Sequence, residues 1–135
     1  MSEYTQTRNI ALVNQENLNE ITKSVSMLNR SFTKIVENDN YQDMTLIEWD
    51  KFAEKKNTTL EIANQVTYEP LKADFKYLKK IMKEADENKD MEKILEAHKI
   101  IHDLHYFLFQ GHSNKVYHNA TITLDGVVNN NKIIK

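Results

Sequence analysis

Only three of the 135 residues, Pro70, Gly111 and Gly126, are of the two kinds that most readily reverse a chain. A sheet protein of this length turns about every 8–12 residues and relies on such residues to do it. Their scarcity predicts an all-α chain of a few long helices. Hydrophobic residues at 40% and charged residues at 28% are ordinary for one globular domain. The expected architecture is an antiparallel bundle of three long helices, or four if Pro70 breaks the second. Residues 1–111 would form the bundle, and 112–135 a C-terminal tail that is a short hairpin or an extended segment.

The periodicity places the helices. Leu18, Ile21, Val25, Leu28, Phe32 and Ile35 recur at spacings of three and four, the narrow seam of a bundle helix, and predict one helix over 4–37. Asn14 falls on the same seam, where a polar residue fixes register or marks a frayed end. The polar stretch ENDNYQD (37–43) ends the pattern. Thr45 and Glu48 form a capping box for a second helix over 46–87. Its stripe is Leu46, Trp49, Ala53, Leu60, Ala63, Leu71, Phe75, Leu78 and Met82. Pro70 removes a backbone donor and disfavours helix at Glu69. The stripe nevertheless keeps its phase across it at about 100° per residue, which favours one kinked helix over a split near 67–69.

The polar turn DENKD (86–90) leads into a third helix over 90–110. Asn88 or Asp90 caps it, Glu92 suits its positive end, and Gly111 stops it as a left-handed C-cap. In the tail, TITLDGVV places β-branched residues around Asp-Gly, the short hairpin signal. One isolated hairpin is marginal in water, so the tail either docks on the bundle or moves freely.

The third helix holds the most chemistry. Ile94, Ala97, Ile101, Leu104 and Leu108 share one side, with His98 and His105 beside them and His102 at the edge. Ile100 and Phe107 widen the apolar arc past half the circumference, so this helix packs on more than one side. Asp103, Lys99 and Glu96 are expected to face solvent. Histidines four apart point the same way, and two neutral imidazoles can share a zinc or iron ion. His98, His102 and His105 are therefore candidate metal ligands. A bundle site normally adds a carboxylate from a facing helix, and folding about residue 88 brings Asp74 to that level. The alternative is a satisfied core, with each imidazole hydrogen-bonded to a neighbour such as Asp74, Tyr68 or Tyr77. Either way, buried neutral imidazoles predict stability lost below about pH 6.5.

Other chemistry is thinner. The spacing is near His-Glu-x-x-His, but Lys99 stands where the catalytic glutamate belongs, which removes the metalloprotease reading. The His102-Asp103 doublet matches two letters of the HD phosphohydrolases, with Asp103 expected on the far side. Lys72, Lys76, Lys79, Lys80 and Lys83 stand opposite the stripe of their helix, as an anion-binding surface or a solvated face. No arginine is present there to read bases bidentately, so sequence-specific nucleic-acid binding is not expected. Without cysteine there are no disulfides, no Cys-ligated zinc and no thiol catalysis. No Gly-x-Ser-x-Gly or glycine-rich phosphate loop occurs. No run of eighteen apolar residues is present, so no transmembrane segment is expected.

The segment LEAHKIIHDLHYFLF, 95–109, resembles a helix of small uncharacterised helical lipoproteins of low-GC Gram-positive bacteria. The resemblance implies a bacterial cell-envelope origin, with the cytoplasm as the alternative, and no catalytic motif. The lipidated cysteine of such proteins is not in this sequence. The function expected first is a non-enzymatic helical bundle that binds a protein partner or a second copy of itself. Second is a metal-binding bundle built on the three histidines and Asp74, with a divalent ion such as zinc and no other cofactor. Third is an anion-binding surface on the lysine stripe.

Overall fold

The computed structural model describes residues 2–13, 17–37, 46–111 and 115–126, and of 46–48 the backbone alone. The chain is all-α. Its helices are α1 (Glu3–Leu12), α2 (Leu18–Glu37), α3 (Leu46–Gln65), α4 (Glu69–Asn88) and α5 (Met91–Asp103). The last runs on as a π-helical stretch, Leu104–Phe109. No strand occurs among the described residues. The Asp-Gly pair lies in a turn, with Gly126 at φ 74°, and residues 121–124, the first arm of the hairpin reading, are not a strand. Residues 127–135, which would supply its second arm, lie outside the described residues, as do Asn14, Thr45 and the side chain of Glu48.

The first helix divides. Ser2 caps α1 by accepting the N–H of Thr5 at 3.1 Å, and Val13 leaves the helical region at ψ 144°. β-branched valine followed by an asparagine-rich stretch is poor helix material, which offsets the seam's tendency to continue. Freed from α2, α1 docks elsewhere. Tyr4 donates its hydroxyl to the carbonyl of Phe107, and Arg8 reaches those of Leu108 (2.7 Å) and Phe109 (3.4 Å). These acceptors belong to the last turn before Gly111, where a helix leaves carbonyls without internal partners. In α2 the middle of the predicted seam is buried, with Ile21, Val25, Leu28 and Phe32 each at most 1% exposed, while Leu18 and Ile35 at its ends are half-buried.

The second helix also divides, contrary to the kinked-helix expectation. Val66 and Thr67 are not helical, Tyr68 is the N-cap, and Pro70 lies in the first turn of α4. A first-turn proline sacrifices no hydrogen bond, because that N–H has no helical partner. The apparent continuity of phase comes from a stripe in α3 that, among the described residues, coincides with the buried one only at Trp49 and Ala63. Ala53 and Leu60 are only half-buried, while Trp49, Phe52, Thr59, Ile62, Ala63 and Val66 are buried. At 100° per residue the buried stripe is rotated by roughly a third of a turn from Leu71, Phe75, Leu78 and Met82.

Contacts fix the directions. Lys89 lies over Trp49, Lys56 pairs with Asp86 at 3.2 Å, and Thr59 meets Met82, so α3 and α4 run in opposite senses. Lys93 reaches Glu84 and Glu96 meets Tyr77, so α4 and α5 do too. The reversal between them is tight: Lys89 turns left-handed at φ 51°, and Asp90 caps α5 by accepting the N–H of Glu92. The core is one continuous cluster drawn from all five helices and from Tyr117 and Leu124 of the tail.

Candidate metal centre

Along α5, Ile100, Asp103 and Phe107 recur at three and four and are at most 1% exposed. This is a second buried face, beside the Ile94–Ala97–Ile101–Leu108 stripe, and the tail covers it. Tyr117 sets its ring edge-on to Phe107 at 5.3 Å and donates its hydroxyl to the carbonyl of Leu124. Asp103, expected to face solvent, is fully buried and anchors the tail. Its Oδ1 accepts the N–H of His118 and its Oδ2 that of Ala120, both at 3.0 Å. Asn119 between them turns left-handed, a conformation its short polar side chain tolerates.

Asp74 does the same further along. Its carboxylate accepts the N–H of Ile122 (2.7 Å) and of Thr123 (2.9 Å), and the hydroxyl of Thr123 (2.5 Å). Burial raises its pKa above the ordinary value, against the pull of those hydrogen bonds. The expected role for Asp74 is that of a ligand beside the histidines. Its oxygens are instead engaged by the tail, and the carboxylate that joins the histidines is Asp103.

His102 is the hub of the imidazoles. Its ring lies 5.7 Å from that of His98, 5.0 Å from that of His118 and 4.8 Å from that of Tyr106. Its side chain is 13% exposed, and Nδ1, 3.8 Å from Oδ1 of Asp103, is buried with no hydrogen-bond partner. His102, Asp103 and His118 each offer a ligand atom within 4.8 Å of the others. His98 stands one turn away and meets the Thr33 hydroxyl through Nε2 at 3.2 Å. That is a partner of the satisfied-core kind, supplied by α2 and not by Tyr68 or Tyr77. Burial, reinforced by the neighbouring His102 and His118, pushes the pKa of His98 down to about 4. Burial lowers that of His118 as well, against the pull of Asp103. Both imidazoles are therefore neutral at pH 7, the form that ligates metal.

His105 departs from the cluster. Beyond Leu104 the chain widens to i→i+5 bonding, with the N–H of Gln110 on the carbonyl of His105 at 3.0 Å. This adds a residue to the turn and rotates the end of the helix away from the α-helical wheel. His105 meets the ring of Tyr106 and the amide of Gln110, and its buried Nδ1 has no partner. Burial, then the nearby His102 and Arg30, lowers its pKa.

The other candidate surface is more mixed than expected. Lys76, Lys80 and Lys83 are exposed, but Lys72 and Lys79 are half-buried, and Lys83 pairs with Glu87 at 3.8 Å. A separate groove of about 460 Å³ lies between α2 and α3, lined by Phe32, Ile35 and Phe52 among lysines, and contains none of the histidines. No helix among the described residues is long and apolar enough to cross a membrane.

His118 escapes a sequence reading because it lies outside any periodic segment. Asp103 is misplaced by the helical wheel because its own stripe partners, Ile100 and Phe107, look like a widening of one arc. Comparison of the chain with protein-family models, with curated proteins and with solved structures found no match.

Proposed function

We propose that this protein is a non-enzymatic binding protein that holds a divalent transition-metal ion at His102, Asp103 and His118, with His98 completing the set. The observation that carries this reading is the convergence of one ligand atom from each of three residues to within 4.8 Å of one another, beside a His102 whose buried Nδ1 has no hydrogen-bond partner. A buried polar nitrogen left unpaired costs about 1–3 kcal/mol, and an ion would offset that cost. Zinc sits about 2.0–2.2 Å from nitrogen and oxygen ligands.

Two or three imidazoles and a carboxylate favour zinc, cobalt or nickel over magnesium or calcium, which prefer all-oxygen shells. Asp103 can ligate while still accepting its two N–H groups, because an ionised carboxylate has about four lone-pair sites. Those N–H groups then act as the outer hydrogen bonds that orient a ligand. Turning His98 from Thr33 toward the ion would close a four-ligand site. A closed site with a fully buried carboxylate is of the structural kind, with little room for a substrate. This is why the reading is binding and not catalysis.

The test is calorimetric titration of metal-free protein with zinc, with cobalt as a spectroscopic substitute. One ion per chain is expected, with tetrahedral cobalt absorption and loss of binding in His102→Ala and His118→Ala. Zinc at a hundred times its Kd should add about 2.7 kcal/mol of stability. Absence of stoichiometric binding, with identical melting in zinc and in chelator, would end this reading.

A further inference from the structure

We infer that metal occupancy and docking of the C-terminal tail are thermodynamically linked, so that the ion clamps residues 117–124 onto α4 and α5. The inference rests on the metal reading above and gives it a consequence.

The candidate ligands come from two pieces of chain that only docking brings together. His102 and Asp103 belong to the end of α5, and His118 to the tail. Among the described residues, two buried carboxylates hold the main chain of the tail. Asp103 holds the N–H groups of His118 and Ala120, and Asp74 holds those of Ile122 and Thr123 with the Thr123 hydroxyl. Tyr117 and Leu124 are its buried apolar anchors, at 4% and 0% exposure. Val116 and Ile122, each 60% exposed, add little to the grip. So small an anchor set makes the tail a low-stability unit that can open while the helices stay folded. An ion held by His118 on one side and by His102 and Asp103 on the other bridges the opening. It binds the docked state better than the undocked one, which is the condition for a ligand to shift such an equilibrium.

Linkage is reciprocal: the factor by which zinc strengthens docking is the factor by which the docked chain binds zinc more tightly than the undocked one, so a variant that undocks the tail weakens zinc by up to that factor. Asp74 touches the tail and is not among the clustered ligands, so it separates coupling from ligation. In the full chain, hydrogen exchange of the amides of 117–124 is measured with zinc and with chelator, and zinc affinity is measured for Asp74→Asn. Zinc should slow exchange of these amides at least tenfold, beyond its effect on α4. Asp74→Asn should keep one ion per chain but bind it about three- to tenfold more weakly. Should Asp74→Asn fail to fold, Thr123→Val removes one hydroxyl bond to the same carboxylate and should shift affinity in the same direction by less. Stoichiometric zinc with unchanged exchange in 117–124, and unchanged affinity in the folded variant, would overturn the coupling and leave the metal reading standing. Absence of zinc binding overturns both.

Discussion

Replacing Asp103 with asparagine leaves one acceptor oxygen where the N–H groups of His118 and Ala120 converge, and turns an NH2 donor toward one of them. The carboxylate is fully buried, so water cannot repair the mismatch. Hydrogen bonds to charged groups contribute about 1.5–3 kcal/mol, and Asp103→Asn in metal-free protein should cost about that, read as a lower urea midpoint. His98 predicts the pH response. Its folded pKa is about 4 against an unfolded value of 6.5. Between those values the unfolded chain holds more protons, so stability rises with pH and is lost as pH falls from about 6.5 toward 4. His105 and His118 shift in the same direction and deepen the loss, whereas Asp74 shifts upward and opposes it nearer the carboxylate range. The loss due to His98 should be on the order of 2 kcal/mol once solvent screening is allowed for. His98→Gln should flatten the dependence of melting temperature on pH across this window in chelator, and an unchanged slope would contradict the burial of that ring. The sequence made the inward histidines of α5 legible, because side chains four apart on a helix share a face. It hid Asp103, because a carboxylate satisfied by a remote backbone looks locally like a solvated one.

Among the elements, the meeting of α1 with the π-helical end of α5 is the most exacting. Gly111 turns left-handed at φ 83°, and a Cβ there would stand 2.2 Å from the Arg8 guanidinium carbon. Gly111→Ala therefore suffers backbone strain and displaces the arginine from the Leu108 carbonyl. Its expected cost is about 2–3 kcal/mol. Combined with Arg8→Ala, the additional cost of the alanine should fall to about 1 kcal/mol, the strain alone, in a double-mutant cycle by urea denaturation. Additive costs would mean that the two residues do not meet. Helix existence was readable throughout from periodicity, and two junctions were not. Val13 ends α1 ahead of Leu18, where the seam begins, and a helix that buries only Ala11 carries no apolar seam to mark its end. At Pro70 the difficulty lies in α3, where Lys56 occupies a stripe position and pairs with Asp86 instead of packing, which obscures the buried side.

For the whole molecule, stability should be graded. α4, α5 and the π-helical run after it supply about half of the buried core, whereas α1 buries only Ala11 and is fastened through Tyr4 and Arg8. Native-state hydrogen exchange should show α1 opening first and α4 with α5 last, and equal protection in α1 and α4 would refute that order. In the α2 seam, Ile21, Val25, Leu28 and Phe32 are buried inside the chain, Phe32 against Phe52. A remaining feature bears on which sequences this architecture admits. The two buried aspartates grip the tail by its main chain, at the amides of 118, 120, 122 and 123, and every residue type but one carries that group. Exposed Ile122 can therefore be exchanged for almost any side chain at little cost, yet proline is barred from all four positions. A substitution scan at 122 should return a single forbidden letter, a veto written in the backbone alone.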